Sequence, residues 1–331
     1  MTQIDNRSEL IFIYDVKDAN PNGDPLHENK PRIDEETKIN YVTDVRLKRT
    51  IRDYIAVEYG NKEPNQIFML AQRRADETLP TMKDRSKDFN NDKESIKSKC
   101  IDIRFFGATL AFAEDKKTKK IAKKDNEDEN GQEDVSQKDD SGSVAITGPV
   151  QFRIGRSMHQ VEPVENQISR VLPNDPGKKQ GTFGTDQRVF YSAIKFYGMI
   201  NENAAVNSGL QKEDIDILLK AVWNGTKSLN TRSKIGHMPR LLIKADYEKG
   251  FFIGDLDSMI TFNKNDEINE LAIRSCNDYE LDLSKLADAF KSSDNKIVKV
   301  VIAKHPDLRI KGESSLKENK KIEFKEIVSW E

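Results

Sequence analysis

Apolar residues along the chain fall mostly into short runs bounded by Pro, Gly and charged residues. The first run, ELIFIYDV, is rich in Ile, Phe, Tyr and Val and therefore predicts a buried strand. Similar runs predict further strands, some of them bent: CIDIRFFGATLAF, VAITGPVQFRIGRSMHQV, RVFYSAIKFYGMI, RLLIKADY, FFIGDL and VKVVIAK.

Two segments have the three-to-four-residue apolar spacing that is typical of amphipathic helices. The first begins after Thr43, a suitable N-cap, with Asp44 placed to complement the helix dipole. Its buried side is predicted to hold Leu47, Ile51, Tyr54 and Ile55. The second follows the i, i+3, i+4, i+7, i+8 pattern at Ile215, Leu218, Leu219, Val222 and Trp223. Helices are also predicted over NQIFMLAQRRAD and LSKLADAFKSS.

In chain order these elements read strand, helix, strand, strand, helix, strand, with long segments inserted between them. This is the order of the ferredoxin-like, split βαβ arrangement on which RNA-recognition modules are built. We therefore predict a single α+β domain over residues 1–331. Many folds share the order, so the inserted segments must carry what is particular to this protein.

Two inserted segments stand out by composition and length. Residues 114–143 are Lys-rich first and acidic afterwards, and Ile121 and Val135 are their only large apolar residues. Such a segment cannot offset its ordering entropy by burial, so we predict a disordered charged loop. The second segment, EPVENQISRVLPNDPGKKQGTFGTDQ, is long for a loop within a folded region, which favours a functional or a disordered loop.

Composition limits the class of protein but does not indicate an activity. The 331 residues are 36% hydrophobic and 33% charged, and no apolar run approaches the roughly 20 residues that cross a bilayer. The start, MTQIDNRSEL, lacks the basic and apolar regions of a signal peptide, so we expect a cytoplasmic protein without a membrane partner. The net charge of -2 gives no indication of nucleic-acid binding. If the protein binds a polyanion, its basic residues must be gathered locally.

Metal and cofactor chemistry finds little support in the sequence. Cys100 and Cys276 are far apart, and the four histidines show no HxxxH or CxxC pairing, so neither a disulfide nor a zinc site is predicted. Nucleophile, Walker and dinucleotide motifs are also absent from the sequence. We expect no cofactor.

The stretch DVKDANPNGD resembles a calcium loop, with Asp18, Asn20 and Asn22 at alternate positions before a glycine. An EF-hand needs Glu at the twelfth loop position, and Asn29 stands there instead. Asp15, Asp18 and Asp24 could instead hold Mg²⁺ and cut a phosphodiester, and this nuclease alternative stays open. A polar loop leaving a strand is the favoured interpretation.

Basic residues recur in four groups that favour binding of a single nucleic-acid strand through its phosphates. Four cations lie within seven residues of the first helix, where Arg46 and Arg49 should project away from the apolar stripe and Lys48 and Arg52 should flank it. A solvated helix face is the alternative. We expect Arg153 and Arg156 to leave one face of a strand, and all groups to converge into one continuous trough. The remaining members are Lys178 and Lys179 in a Gly-flanked loop, and Arg232 and Lys234 after the second helix.

Several motifs, in this order, look like those of the CRISPR-associated backbone subunit of Cascade, subtype I-B. The resemblance runs from Asn6 to about Tyr247. It rests on NRSELIFIYDVKDANPNGDP, PRIDEETK, TDVRLKRTIRDY, DIRFFG, TGPVQFRIGRSMHQV and LNTRSKIGHMPRLL.

The resemblance implies a modified RNA-recognition fold, the palm, with large finger and thumb insertions. Residues 60–143 would form the finger-type insertion and residues 161–187 the thumb. Copies would stack head to tail along one CRISPR RNA, with the guide left open to pair with a target DNA strand. Catalysis is not expected of this subunit. Other Cascade subunits, namely the large, small, end-capping and guide-processing subunits, would be its further partners.

The resemblance also implies roles for individual residues. Arg46 and Arg49 would grip the guide backbone, assisted by Lys48 or Arg52. Lys17, Asn20, Asn22 and Arg32 would lie beside the guide, as would Arg153, Arg156, Ser157 and Met158 by the thumb base, together with Lys178, Lys179, Arg232 and Lys234. Related type III backbone subunits cut target RNA with an Asp after the first strand, so a metal-dependent target-RNA nuclease is the alternative function.

Overall fold

A computed structural model describes residues 3–71, 77–112, 143–169 and 183–331 of the chain. The predicted disordered loop therefore lies outside the described residues except for Ser143, as do Lys178, Lys179 and the middle of the predicted thumb. None of the described helices is long and apolar enough to cross a membrane.

The described residues form a mixed α/β structure built around a mostly antiparallel sheet. The helices are α1 (Asp44–Glu58), α2 (Met82–Asp88), α3 (Lys93–Lys99), α4 (Ile101–Phe106), α5 (Glu202–Ser208), α6 (Lys212–Lys227), α7 (Ser284–Ser292) and α8 (Glu313–Glu318). The strands are β1 (Ser8–Ala19), β2 (Gly23–Asp24), β3 (Lys30–Pro31), β4 (Ile39–Val42), β5 (Gly107–Ala111), β6 (Ser143–Thr147), β7 (Val150–Phe152), β8 (Gly155–Gln160), β9 (Pro163–Ser169), β10 (Phe183–Ile200), β11 (His237–Tyr247), β12 (Thr261–Lys264), β13 (Tyr279–Asp282), β14 (Ile297–Lys304), β15 (Ile310–Lys311) and β16 (Ile322–Glu326).

Strand β1 lies at the centre of the main sheet, whose order is β16-β14-β11-β1-β10-β8-β4, with β7 and β9 also paired to β10. It pairs antiparallel with β10 from Ser8 opposite Ile200, and with β11 from Ser8 opposite Asp246. Because successive side chains of a strand point to opposite faces, Phe12 joins one core and Ile13 the other. The apolar run of β1 is therefore buried on both sides, as predicted.

One face of the sheet is covered by α1 and α6. Thr43 caps α1 by accepting a hydrogen bond from the Arg46 amide, as predicted. Trp223 of α6 is fully buried in the core between these helices and the sheet. The opposite face is covered by α7 and by the small sheet β12-β13-β15, with Tyr279 and Phe290 buried beneath them.

A third, smaller core lies within residues 66–112 and 143–147. Phe68, Phe89, Ile96 and Ile103 pack there beneath β5 and β6. The buried Arg104 donates two hydrogen bonds of 2.8 Å to Asp214, and this ion pair joins α4 to α6. The small core is thereby fixed to the main one.

Four secondary-structure predictions are wrong. Residues 65–71 of the predicted helix NQIFMLAQRRAD are not helical, and the polar stretch after residue 77 contains α2 and α3. CIDIRFFGATLAF begins as α4, because all six helical residues are buried and the segment shows no one-sided apolar stripe. The predicted bent strand VAITGPVQFRIGRSMHQV is three strands.

The fourth wrong prediction is the strand over FFIGDL. The amides of Ile253 and Gly254 donate to the buried carboxylate of Glu9 at 3.2 and 3.0 Å, rather than to a neighbouring strand. Gly254 and Asp255 also have positive φ values of 84° and 54°, which end any extended run. Predictions of β1, β10, β11, β14, α1, α6 and α7 are confirmed.

Candidate nucleic-acid interface

The loop after β1 is fixed by Asn20, which is fully buried. Its side-chain amide donates to the carbonyls of Asn29 at 2.7 Å and Gln187 at 3.1 Å. Its backbone amide donates to the Ser233 carbonyl at 2.8 Å. Asn20 therefore joins three distant segments through its donors, whereas its buried Oδ1 has no hydrogen-bond partner among the described residues.

Asn22 connects the same loop to the start of α1. Its Oδ1 accepts hydrogen bonds from the backbone amide of Thr43 at 2.9 Å and from its hydroxyl at 3.0 Å. Since Thr43 is the N-cap of α1, this contact sets where the helix begins relative to the loop. Lys17 lies exposed nearby, with its backbone amide bonded to the Gly236 carbonyl at 3.1 Å.

Arg46 differs from the other cations of α1. Its guanidinium is partly buried and donates to the Thr50 hydroxyl at 3.2 Å, and it forms no ion pair with a carboxylate of the described residues. Burial lowers the pKa of Arg46, while Tyr14 and Asp53 raise it. The prediction that Arg46 projects away from the buried side of α1 is therefore wrong.

Lys234 lies close enough to Arg46 for the two charges to interact. Its ammonium donates to the Asn20 carbonyl, and burial, together with the smaller effect of the Arg46 charge, lowers its pKa to about 8. We call Arg46 and Lys234 the loop cluster. It brings together two cations that are almost 200 residues apart in the chain, at the point where β1 ends and β11 begins.

The other three cations of α1 have acidic partners. Lys48 contacts Asp44 at 3.0 Å, Arg49 contacts Asp53 at 2.7 Å, and Arg52 contacts the buried Asp102 at 3.0 Å. Lys48 and Arg52 are also largely covered, and both lie over the ring of Phe106. Lys48 and Arg52 therefore have structural contacts, so the alternative of a solvated helix face does not describe these two residues, whereas Arg49 is exposed.

Four of the predicted residues line one open groove of about 1050 Å³: Arg153, Arg156, Ser157 and Met158. Arg153 lies over the ring of Tyr197 at 4.4 Å and forms ion pairs with Asp255 at 2.8 Å and Asp257 at 3.5 Å. The hydrogen bond with Asp255 raises the pKa of Arg153. Arg153 is therefore a charged side chain that is already paired with two aspartates.

The prediction that Arg153 and Arg156 share one face of a strand is wrong. They are three residues apart, and Arg153 lies between β7 and β8, whereas Arg156 lies in β8 opposite Lys195 of β10. Arg156 is exposed and forms no ion pair with the described residues. Ser157 is buried and has a structural role, because its hydroxyl accepts from the Asn40 amide at 2.9 Å and donates to the His159 carbonyl at 2.7 Å.

Two further predicted cations also have acidic neighbours. Arg232 contacts Asp186 at 3.0 Å in the middle of the β9–β10 pairing, and Arg32 contacts Asp24 at 3.1 Å. Asp186 also contacts Arg188 at 2.7 Å. Both predicted residues lie near the end of β1, the first half of β10 and the start of β11.

The predicted continuous trough is not what the structure describes. Arg46 packs with Tyr14 against one face of the main sheet, whereas Arg153 packs on Tyr197 against the other face. Arg153 and Arg232 each lie beside aspartates. The candidate interface therefore has two parts within the described residues, the loop cluster and the groove.

Sequence reasoning missed two residues at these places. Lys195 lines the groove, donates to the Asp257 carbonyl and has its pKa lowered by burial. In RVFYSAIKFYGMI, Lys195 occupies every second position together with Tyr191, Ala193 and Tyr197. This spacing could have placed Lys195 on the same face of the strand as those residues. His237 lies beside the loop cluster and had no sequence signal, because only the fold brings it to Arg46.

Two of the three acids of the nuclease alternative have separate partners, and the third, Asp18, is exposed. Asp15 is buried and accepts hydrogen bonds from Arg240 at 2.6 Å and Tyr191 at 2.7 Å. Burial raises the pKa of Asp15, and the charge of Arg240 acts against this shift. Asp24 faces Arg32 and His27. Within the described residues, no group of three acidic, His or Cys side chains could hold a metal ion.

Comparison with known families identifies the class of protein. The model of the family described as CRISPR-associated protein Cas7 matches residues 6–284, so the chain is a CRISPR-associated protein. A Haloferax volcanii protein named CRISPR-associated protein Cas7 is 32% identical over 304 residues, which cover 88% of this chain and 85% of the relative. The chain therefore belongs to the Cas7 family.

Two solved structures also align with 90% of the chain. One, titled CRISPR RNA-guided surveillance complex, has a TM-score of 0.45 and 14% identity over 88% of its own chain. The other, titled CRISPR RNA-guided surveillance complex, pre-nicking, has a TM-score of 0.48 and 13% identity over 91% of its own chain.

Proposed function

We propose that this chain is the non-catalytic backbone subunit of a type I-B Cascade effector complex. Copies of it assemble head to tail along one CRISPR RNA in the cytoplasm and present the guide to a target DNA strand. The large, small, end-capping and guide-processing subunits complete the complex. The observation that carries this proposal is the Cas7 family match over residues 6–284, a span that includes both the loop cluster and the groove.

We infer that the palm is a modified RNA-recognition fold. In support, β1, β8, β10 and β11 would be the four strands of the βαββαβ series, and their order in the sheet is β11-β1-β10-β8. The first strand of the series therefore lies between the third and the last, and α1 and α6 both pack on one face of the sheet. The finger is assigned to residues 60–143, which include the separate small core. The thumb is assigned to residues 161–187, in support of which β9 and β10 form a hairpin arm.

Within this proposal the loop cluster binds guide phosphates, because Arg46 is a guanidinium without a carboxylate partner in the described chain. Phosphate contacts position a strand without reading its sequence, as a subunit that serves many guides requires. Arg49, Arg156 and Lys17 are exposed and are assigned supporting contacts. Arg153 and Arg232 would exchange their aspartates for phosphate on binding.

The test is the salt dependence of RNA binding by Arg46→Ala. Affinity should fall equally for unrelated single-stranded sequences, and the slope of log affinity against log salt should lessen by about 0.7 for one lost phosphate contact. Lys296→Ala is the matched control, since Lys296 is an exposed cation paired with Glu248 and lines neither the groove nor the surroundings of Arg46. An unchanged slope for Arg46→Ala would remove Arg46 from the interface.

A further inference from the structure

A small cleft lies beside the loop cluster, between β1, the start of β11 and the helices α1 and α6. Tyr14, Arg46, Thr50 and His237 are among the side chains that line it. Its volume is about 10 Å³, which is at the lower limit of the room that one water molecule needs. A phosphate or a base does not fit, whereas one hydroxyl group does.

His237, one of the residues that line this cleft, carries an unsatisfied acceptor. Its Nδ1 contacts the Lys234 carbonyl, and because a carbonyl can only accept, Nδ1 carries the proton. Nε2 is therefore left with a lone pair. It is buried and has no hydrogen-bond partner among the described residues.

The protonation state of His237 is fixed by its surroundings. Burial lowers its pKa to about 3, and the charges of Lys234 and Arg46 lower it as well. The ring is thus neutral throughout the physiological range, so Nε2 remains an acceptor. Stacking against Tyr14, with ring centroids 5.7 Å apart, holds the ring in place.

The surroundings of this acceptor are cationic. Arg46 lines the same cleft, and its only described polar contact from the guanidinium is the Thr50 hydroxyl. Lys234 adds a second charge at the cleft. A ligand that suits this arrangement offers one hydroxyl donor next to an anionic group, and the 2′-hydroxyl of ribose beside its phosphate is such a group.

We propose that His237 Nε2 accepts a hydrogen bond from a 2′-hydroxyl of the guide while Arg46 binds the adjoining phosphate, so that this cleft selects RNA over DNA. This inference rests on the proposed function, because it assumes that the guide crosses the loop cluster. It goes further in naming the sugar hydroxyl as the recognised group and His237 as its acceptor.

The first test needs no variant of the protein. Binding of the full chain is measured at one salt concentration to a single-stranded RNA, to its 2′-fluoro analogue and to DNA of the same sequence. The 2′-fluoro sugar retains the RNA pucker but cannot donate, so its affinity should be several-fold lower than that of RNA. Equal affinity for RNA and the 2′-fluoro strand would overturn the inference.

The second test uses variants at His237. His237→Phe keeps a ring against Tyr14 but removes the acceptor, so RNA affinity should fall roughly five-fold, as expected for one lost neutral hydrogen bond, while DNA affinity is unchanged. His237→Gln restores an acceptor and should recover part of the difference. A folded His237→Phe with the wild-type RNA-to-DNA ratio would show that a water molecule alone satisfies Nε2.

Binding by the wild-type chain separates the proposed function from the ribose contact. A wild-type chain that binds neither RNA nor DNA overturns the proposed function and this inference with it. A wild-type chain that binds RNA, the 2′-fluoro strand and DNA alike overturns the ribose contact alone. If His237→Phe does not fold, as judged by thermal melting, the 2′-fluoro comparison on the wild-type chain decides.

Discussion

Lys234 is a lysine whose charge depends on the folded structure. It is mostly covered, it donates to the Asn20 carbonyl, and its pKa falls from an ordinary 10.5 to about 8 because burial disfavours the ammonium. A lysine in this condition titrates just above physiological pH. Its contribution to phosphate binding should therefore be measurable with pH alone.

RNA affinity of the wild-type chain should fall as the pH rises through about 8, since Lys234 then loses its charge. Lys234→Met should bind RNA more weakly than wild type at pH 7 and show a flatter pH profile between 7 and 9. Affinities would be measured by fluorescence anisotropy at constant salt. Equal pH slopes for the two proteins would remove Lys234 from the phosphate contacts.

The same group predicts how stability varies with pH. Its folded pKa is lower than its unfolded pKa, so between about 8 and 10.5 the unfolded chain binds more protons at this site. Folding stability contributed by Lys234 therefore increases as the pH rises through that window. Lys234→Met should lose this component.

The acidic partners of several basic residues could not be predicted from the sequence, for a physical reason. The acids that neutralise Arg52 and Arg153 are Asp102 and Asp255, which are 50 and 102 residues away in the chain. The spacing of charges along a helix does not show such distant partners. The sequence therefore predicted that all four cations of α1 can bind phosphate, whereas three of them have acidic partners. Only the structure distinguishes Arg46 from the other cations of α1, because Arg46 has no carboxylate partner among the described residues.

At the scale of elements, the ion pair of Arg104 and Asp214 is the connection between the small core and α6. Both side chains are nearly inaccessible to solvent, and Arg104 also donates to the carbonyls of Pro64, Lys97 and Ser98 at 3.1 Å. One guanidinium thus satisfies groups from several segments. Removing it leaves a buried carboxylate without its partner.

Arg104→Ala should lower the free energy of unfolding by about 3–5 kcal/mol, because Asp214 would remain buried and unpaired. Arg49→Ala is the matched control, since its pair with Asp53 is largely exposed and should contribute about 0–1 kcal/mol. Urea unfolding followed by circular dichroism measures both. A loss for Arg104→Ala no larger than that for Arg49→Ala would contradict the structural role.

Helices with a one-sided apolar stripe and strands with a continuous apolar run could be predicted, and the other elements could not. The stripes of α1 and α6 and the β-branched runs of β1 and β14 identify themselves locally. Helix α4 is buried on all sides, so its sequence carries no period. Helices α2 and α3 are seven residues each, and their signals are caps, at Thr81 and Asp92, rather than periodicity.

At the scale of the whole molecule, the two parts of the candidate interface lie against opposite faces of one sheet. Under the proposed function, a subunit with this arrangement would contact the guide at the loop cluster and, through Arg153 and Arg156 of the groove, at a second place on the other face of the sheet. Head-to-tail contacts that do not close into a ring generate a filament, whose length the RNA then sets.

The number of chains bound per RNA should therefore rise in proportion to the length of the RNA. Mass photometry of the chain on single strands of increasing length measures this directly. Arg46→Ala serves as the control, since lower affinity for the strand should reduce occupancy at every length. A fixed stoichiometry, independent of RNA length, would be inconsistent with a polymerising backbone.

The central place of β1 in the sheet has a consequence for synthesis in the cell. This strand is complete at Ala19, but its two neighbours end only at Ile200 and Tyr247. At translation rates of about 5–20 residues per second, a strongly apolar segment then waits on the order of ten seconds or more with both edges open. The nascent chain should accordingly bind ribosome-associated chaperones at this segment, and slower translation should increase its aggregation.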